Sequence, residues 1–323
     1  FLNNRINFTF DIYSRRNYDL NGVINTLGTG GEPRKYGNVA KMKSNGVEIA
    51  LNTVNIKTKD FTWTTDLIYS HMHNEVTELN TLNRMYDYIS GSGFTMPGYP
   101  QRSLFSIPFM GLNNEGLPTF LDQDGNVSVT GINMQEYDPE RLKFLKYEGP
   151  VDPTDVGSLG NVFRYKGVTL NLFITYSFGN VVRLDPVFSS SYSDLTATPK
   201  EFKDRWVKPG DENFTNVPVI ASKQQLNNIA YLSTAYQAYN YSTERVAKGD
   251  FIRMKEISLG YEFPKSITQP LRLSNLSLKL MATNLFLIYA DKKLNGQDPE
   301  FFNAGGVANP MPKQFTLTLK LGI

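Results

Sequence analysis

Several common features are missing from this sequence of 323 residues. It contains no cysteine, which excludes disulfide bonds, thiolate metal sites and cysteine nucleophiles. Its longest uninterrupted apolar run, 285–290, is far shorter than the roughly 18 residues that a membrane-spanning helix needs. The chain also has no initiator Met or signal peptide at Phe1, and a strand pattern begins almost at once. We therefore interpret the sequence as a piece of a longer protein.

The sequence also lacks a large excess of charge of either sign. The 33 Lys and Arg residues nearly balance the 31 Asp and Glu residues, so the formal net charge is +2. A nucleic-acid partner is not expected, because such proteins carry a basic surface. With 40% hydrophobic and 20% charged residues, the chain has the composition of a folded protein. An outer-membrane β-barrel stays possible despite a mean hydropathy of −0.34, because its strands alternate apolar and polar residues.

Alternation of apolar and polar residues is in fact the dominant pattern. Apolar residues occupy every even position of 168–178 and every odd position of 315–323. A helix would scatter these positions around its axis, whereas a strand places them on one face. The alternation predicts ten strands, at about 5–14, 45–56, 61–79, 103–112, 117–122, 160–165, 168–178, 251–263, 275–289 and 312–323.

The connections between the predicted strands alternate in length. The long connections are 15–44, 80–102, 123–159, 179–250 and 290–311, and the shorter ones are 57–60, 113–116, 166–167 and 264–274. Outer-membrane barrels have short periplasmic turns and long extracellular loops. The predicted fold class is therefore all-β, a transmembrane antiparallel β-barrel with its long loops on the extracellular side.

Aromatic residues support a membrane location. The sequence has 21 Phe and 18 Tyr, and several lie near predicted strand ends: Tyr13, Tyr69, Tyr261, Phe263, Phe286 and Tyr289. Amphipathic rings at these positions are typical of the girdles at the two membrane interfaces. The general preference of aromatic residues for strands is the alternative explanation.

Few residues suggest a metal-binding or catalytic site. His71 and His73 share a strand face with Glu75 and could clip a metal, although two polar residues at a strand rim explain them better. The segment 122–126 resembles the start of a calcium loop, but Asn133 stands where the bidentate Glu would be needed, so we interpret it as a turn. An acid pair for glycoside hydrolysis would have to come from loop carboxylates whose spacing specifies nothing: Asp138, Glu140, Glu148, Asp152, Asp155, Asp298 and Glu300. We expect no enzymatic activity, no cofactor and no bound metal.

The longest predicted loop, 179–250, holds the candidate contact residues. Its segment 223–241 is predicted to contain a short helix and is rich in tyrosine. Flat rings with hydroxyl groups suit sugars or peptides, although packing within the loop would also explain them. The candidate contacts for a substrate or a partner lipoprotein are Trp206, Tyr231, Tyr236, Tyr239 and Tyr241.

Four stretches resemble the C-terminal half of the SusC/RagA family of TonB-dependent outer-membrane transporters of Bacteroidetes. They are GNVAKMKSNGVE at 37–48, RWVKPGD at 205–211, STERVAKGDFIRMKEISLGY at 242–261, and ATNLF at 282–286 followed by QDPE at 297–300. Their order along the chain matches the family's order. The chain departs from the family pattern in the lead into Phe163 and in having Ile323 in place of a terminal Phe.

The resemblance implies a plugged barrel of 22 strands, of which residues 1–323 supply about ten C-terminal strands. The plug and the N-terminal strands would lie outside this chain. It also implies TonB-dependent import of a glycan or an oligopeptide across the outer membrane, with a SusD-like surface lipoprotein as partner. The long loops would form part of the substrate vestibule, and lipid would surround the strands. A self-contained small barrel acting as an adhesin or surface hydrolase, and a soluble β-sandwich, are the alternatives.

Overall fold

A computed structural model describes residues 4–25, 28–32, 34–81, 83–90, 93–188, 200–301 and 312–323. The described residues do not include 1–3, at the start of the chain, or 302–311, in the last predicted loop. The strands are β1 (Ile6–Asn25), β2 (Arg34–Lys57), β3 (Phe61–Leu79), β4 (Ser103–Ser106), β5 (Phe109–Leu112), β6 (Pro118–Leu121), β7 (Val127–Ser128), β8 (Lys146–Pro150), β9 (Asp155–Tyr165), β10 (Val168–Phe178), β11 (Val181–Arg183), β12 (Val246–Lys248), β13 (Phe251–Glu262), β14 (Asn275–Ala290) and β15 (Gln314–Gly322). The helices are α1 (Met85–Ile89), α2 (Lys223–Asn228), α3 (Leu232–Asn240) and α4 (Lys265–Thr268).

The largest sheet has eight strands in the order β1-β2-β3-β9-β10-β13-β14-β15, which is also their order along the chain. Every neighbouring pair is antiparallel. Within the described residues, β1 and β15 lie at the two edges and do not pair with each other. The sheet is therefore an open arc of consecutive hairpins, which agrees with the predicted partial barrel.

The two faces of this sheet differ in chemistry. One row of register partners crosses seven strands with apolar side chains alone: Phe8, Leu51, Leu67, Leu159, Ile174, Met254 and Phe286. The neighbouring row on the other face is mostly polar: Asn7, Asn52, Asp66, Gly160, Phe173, Glu256 and Thr283. Many side chains of the apolar face are exposed, including Leu280 and Leu317. The period-2 pattern of the sequence thus gives an amphipathic sheet whose apolar face is exposed.

Aromatic residues lie at both ends of the apolar face. Tyr165 and Tyr261 lie beside the short 166–167 turn, whereas Tyr69 and Tyr289 lie toward the long loops. The Tyr69 hydroxyl donates a hydrogen bond to Asp155 Oδ1 over 2.7 Å. This placement supports the predicted aromatic girdles.

Three of the four connections at one end of the sheet are much longer than those at the other end. One end of the sheet carries the strand ends that 26–33, 80–154, 179–250 and 291–313 join, and the other end carries those that 58–60, 166–167 and 263–274 join. In the turn 166–167 both residues adopt left-handed φ angles, 45° at Lys166 and 89° at Gly167. That conformation matches the twist of the flanking strands and closes the hairpin tightly. The predicted long loops 179–250 and 290–311 and the predicted turns 57–60 and 166–167 therefore join the expected ends of the strands, whereas the predicted long loop 15–44 is reduced to 26–33, which is shorter than 263–274 at the opposite end.

Most of the buried core lies in the long loops. We call the described residues of 80–154 and 179–250 the loop domain. Its small sheets are β4-β8, β5-β6-β7 and β11-β12. Its fully buried side chains include Met85, Ile89, Phe105, Ile107, Leu117, Phe120, Leu232 and Tyr239. Among the described helices, none has the length and hydrophobicity of a membrane-spanning helix.

Two of the ten predicted strands lie outside the eight-stranded sheet. The segment 103–112 forms β4 and β5, which are four residues each, and 117–122 contains β6. Strands of this length are too short to cross a bilayer, which takes about 9–11 residues. Their apolar residues pack into the core of the loop domain, as Phe105 and Phe120 do. The predicted turn 113–116 is a real turn, but it joins β5 to β6 within the loop domain.

The first two strands are longer than predicted. The predicted loop 15–44 is mostly a continuation of β1 and β2, which pair as far as Asn25 and Arg34. Register shifts between Asn17 and Asn21 interrupt the alternation there, so the period-2 pattern fades. The predicted strand 160–165 likewise begins earlier, at Asp155.

Candidate functional site

A buried arginine joins the two halves of the loop domain. Arg183 is buried on β11, and its guanidinium donates to Ser106 Oγ at 3.0 Å and to the Ser242 carbonyl at 2.9 Å. It also donates to the carbonyls of Phe105 at 2.7 Å and Ile89 at 3.3 Å. Burial lowers the pKa of Arg183 to about 10, so the side chain remains protonated at neutral pH. These bonds connect 80–154 with 179–250.

Trp206 holds a second connection between the same loops. Its indole Nε1 donates to Glu212 Oε2 at 2.9 Å, which lowers the pKa of that carboxyl. The ring lies against Gly116 of the 113–116 turn, where an added Cβ would come within 2.4 Å of it. Gly116 also has a left-handed φ of 75°, so this position favours glycine twice over. Trp206 is only 8% exposed and packs the loop domain instead of presenting its ring to solvent.

Two of the predicted contact tyrosines also belong to the core. Tyr239 is fully buried, and desolvation raises the pKa of its hydroxyl. Tyr236 is 8% exposed and donates its hydroxyl to the Val219 carbonyl at 2.5 Å. Both rings pack against Phe188 in edge-to-face geometry. Their burial favours packing within the loop, the alternative that the sequence left open.

Tyr241 is half-buried and meets a tyrosine from the other long loop. Its hydroxyl lies 3.2 Å from that of Tyr86, and the two rings are perpendicular with centroids 5.6 Å apart. Burial and the neighbouring Tyr86 hydroxyl raise the pKa of Tyr241 to about 12. The Tyr241 hydroxyl therefore stays neutral at physiological pH.

Tyr231 is the predicted contact residue that reaches solvent. It precedes α3, is 74% exposed and has a left-handed φ of 62°. The predicted helix in 223–241 is two helices, because the chain turns at 229–231 between α2 and α3. The exposed positions of α3 include Ser233 and Gln237.

A cleft of about 670 Å³ lies beside this end of α3. Tyr231, Thr234 and Gln237 form one side of it, and Arg84, Tyr86 and 130–135 form the other. Backbone bonds from Met85 to Glu136 at 2.7 Å and from Tyr86 to Met134 at 3.1 Å fix the second side. We call this space the Tyr231 cleft.

The Tyr231 cleft brings together residues that are far apart in sequence. Among the predicted contacts, only Tyr231 lines it, and Arg84, Gln135 and Gln237 were not predicted. Nothing in the spacing of residues 84, 135 and 231 indicates that they converge. Tyr231, just before α3, and Thr234 and Gln237 on α3 are spaced three residues apart, and this spacing is the sequence signal that links the three.

A buried ion pair ties the last long loop to the sheet. Arg253 of β13 is 3% exposed and pairs with Asp298, and its Nε lies 3.0 Å from Glu300 Oε2. Lys255 also approaches Glu300, at 3.4 Å. The QDPE and GDFIRMKEI stretches that the sequence singled out are therefore in direct contact. We call this group the Arg253 clamp.

The other candidate sites hold turns and ion pairs. Asp122 Oδ1 accepts hydrogen bonds from the backbone N–H groups of Asp124 and Asn126, which confirms the predicted turn. His71 Nδ1 lies 2.9 Å from Asp155 Oδ1. No group of three or more potential metal ligands occurs among the described residues.

The loop carboxylates are likewise engaged in structural contacts. Asp152 pairs with Arg102 at 2.5 Å and Glu140 with Lys143 at 2.6 Å. Glu148 lies 3.1 Å from Lys146, and Asp298 belongs to the Arg253 clamp. These contacts give the four carboxylates structural partners within the loops and the sheet.

Comparison with known proteins supports the resemblance read from the sequence, although no family model matches the chain. TonB-dependent receptor SusC of Bacteroides thetaiotaomicron is 26% identical, with 100% of this chain and 30% of the receptor covered. TonB-dependent receptor P39 of Formosa agariphila is 25% identical over 95% of this chain and 32% of the receptor. The chain thus spans about a third of the length of these curated relatives.

Solved structures show the same fold. The RagAB peptide transporter superposes with a TM-score of 0.71 at 23% identity, covering 99% of this chain and 34% of that one. The RagAB peptide importer in its open-open state also gives 0.71, at 20% identity, covering 100% and 33%. The predicted fold class, part of an antiparallel β-barrel, is therefore confirmed, and the predicted likeness to SusC/RagA-type transporters is confirmed with it.

Proposed function

We propose that this chain is the C-terminal part of the barrel of a SusC/RagA-type TonB-dependent transporter in the bacterial outer membrane. The transporter imports a glycan or an oligopeptide and works with a SusD-like surface lipoprotein. TonB acts through a plug that lies outside residues 1–323. No bond of the substrate is made or broken during this process.

The observation that carries the proposal is the amphipathic eight-stranded sheet. An exposed apolar face of this extent would cause a soluble protein to aggregate, whereas lipid accommodates it. The polar face then borders a wet lumen. The similarity to SusC and to other TonB-dependent receptors supports the same location.

The two sheet edges support a larger barrel. β1 and β15 each have one partner strand among the described residues. In a membrane, each unpaired backbone group costs several kcal/mol, so only a closed barrel is viable. The remaining strands of the same transporter would pair with both edges. A self-contained closed barrel of this chain alone would instead require β1 to pair with β15.

The position of the loop domain supports a role in substrate capture. Its two halves emerge from the end of the sheet that carries the long connections, which is the extracellular end of an outer-membrane barrel. A rigid loop structure at the barrel mouth suits a vestibule covered by a surface lipoprotein. Tyr231 is the predicted contact residue that is free to meet a ligand there.

Uptake by whole cells tests this function. Cells that carry the full-length gene should accumulate a fluorescent oligosaccharide or oligopeptide from a mixed panel, and a gene deletion should lose that accumulation. Collapse of the proton gradient should have the same effect, because TonB draws on it. Uptake that survives the uncoupler would contradict the proposal, and so would a full-length protein found in the soluble fraction.

A further inference from the structure

The Tyr231 cleft has the walls of a preformed binding site. Backbone bonds hold the 84–86 segment against 134–136, and α3 packs its buried side into the core of the loop domain. The polar side chains that face the cleft include Thr234 and Gln237, which make no side-chain hydrogen bond to the described residues. Their donors and acceptors are available to a ligand.

The charge that lines the cleft is compensated by a neighbouring carboxylate outside it. Arg84 is the charged residue among those that line it, and its guanidinium pairs with Asp87 at 3.3 Å. It also donates to Gln135 Oε1 at 3.2 Å, which leaves the Gln135 amide NH₂ free to donate. No carboxylate is among the lining residues, all of which are described. The ammonium group of a zwitterionic peptide would therefore find no counter-charge, whereas a neutral polar ligand needs none.

Tyr231 gives the cleft an aromatic surface. A left-handed φ is unfavourable at a bulky residue, so the surrounding structure must hold Tyr231 in place. The result is a ring that is 74% exposed at the edge of the cleft. A flat ring packs well against the C–H face of a pyranose. Amide and hydroxyl side chains form hydrogen bonds with the hydroxyl groups of the sugar.

From these features we infer that the Tyr231 cleft binds a neutral oligosaccharide. Tyr231 supplies the stacking surface, and Gln135, Thr234 and Gln237 supply hydrogen bonds. The inference rests on the proposed function and narrows it, since it chooses a neutral glycan over a peptide for this site.

Calorimetry on the full-length transporter in detergent tests the inference. The sugar probes are maltoheptaose, cellohexaose, laminarihexaose, mannohexaose and xylohexaose, and the peptide probe is a mixture of octapeptides. At least one sugar should bind, with a Kd that rises tenfold or more in Tyr231→Ala and several-fold in Gln237→Ala. Phe214→Ala is the matched control, because Phe214 is 90% exposed and lies outside the cleft, and it should leave the Kd unchanged.

Three results would overturn the inference. They are binding of the octapeptides but none of the sugars, binding of none of the probes, and sugar binding that Tyr231→Ala leaves intact. Each leaves the proposed function standing if energised uptake of any panel member persists in cells. Loss of that uptake is the separate result that removes the proposed function.

Discussion

At the scale of single residues, Arg183 is the clearest case of a charge used to hold segments together. Its guanidinium makes four hydrogen bonds to Ile89, Phe105, Ser106 and Ser242, and three of the acceptors are backbone carbonyls. A carbonyl buried without a donor costs about 1–3 kcal/mol. The arginine therefore satisfies several such groups at once, where a neutral side chain would satisfy fewer.

We expect Arg183→Met to loosen the loop domain by about 3 kcal/mol or more, because the buried acceptors would lose their donor. The measurement is the rate at which subtilisin cleaves the long loops of the full-length protein in outer-membrane vesicles. Lys203→Met is the control, since Lys203 is exposed. Equal cleavage rates for the two variants would show that Arg183 does not hold the loops together.

The tyrosines show why single residues are hard to assign from sequence. Tyr231 and Tyr239 are eight positions apart, yet one is exposed and the other is fully buried. The residue type alone predicts the same suitability for a binding surface at both positions. Which tyrosine faces solvent depends on the break between α2 and α3 and on the core that α3 covers, and both depend on contacts with 80–154.

At the scale of elements, the Arg253 clamp decides how the last long loop sits against the sheet. Removing one partner from a buried ion pair typically costs about 3–5 kcal/mol, and Glu300, 3.0 Å from Arg253 Nε, would offset part of that cost after loss of Asp298. Arg253 and Asp298 are both less than a tenth exposed, whereas Lys143 and Glu140 form a pair that is mostly exposed. Exposed pairs are worth about 0–1 kcal/mol.

Asp298→Asn should therefore free the loop, and Glu140→Gln should have little effect. Lys292 and Lys293 lie in the same loop and are exposed, so trypsin cleavage after them reports its release. We expect cleavage to be faster by tenfold or more in Asp298→Asn than in the unsubstituted protein. If Glu140→Gln accelerates cleavage equally, the clamp has no special role.

The elements also show how far sequence reasoning reaches. Strands β10 and β15 were predicted almost to the residue, because one face meets an apolar and the other a polar environment along their whole length. Strands β4, β5 and β6 were found as strands but placed in the wrong sheet. Their alternation comes from the core of the loop domain, and a sequence pattern does not record which apolar environment produced it. The parts of β1 and β2 that fall within 15–44 are predicted as a loop, because bulges break their alternation.

At the scale of the whole molecule, the chain places its hydrophobic surfaces in two different ways. The loop domain buries its apolar side chains in a compact core, as soluble proteins do. The eight-stranded sheet instead exposes an apolar face on one side and a mostly polar face on the other. We propose that lipid covers this face, with the loop domain outside the cell and the short turns in the periplasm.

Residues 1–323 contain no cysteine, so site-directed labelling of thiols introduced into them tests that claim directly. Phe214→Cys places a thiol on the loop domain and Lys59→Cys places one in the 58–60 turn, and both positions are exposed. The unsubstituted full-length protein serves as the background. With a maleimide attached to polyethylene glycol, we predict that Phe214→Cys is labelled in intact cells and Lys59→Cys only after the outer membrane is opened. Labelling of Lys59→Cys in intact cells to the same extent as Phe214→Cys would contradict the claim.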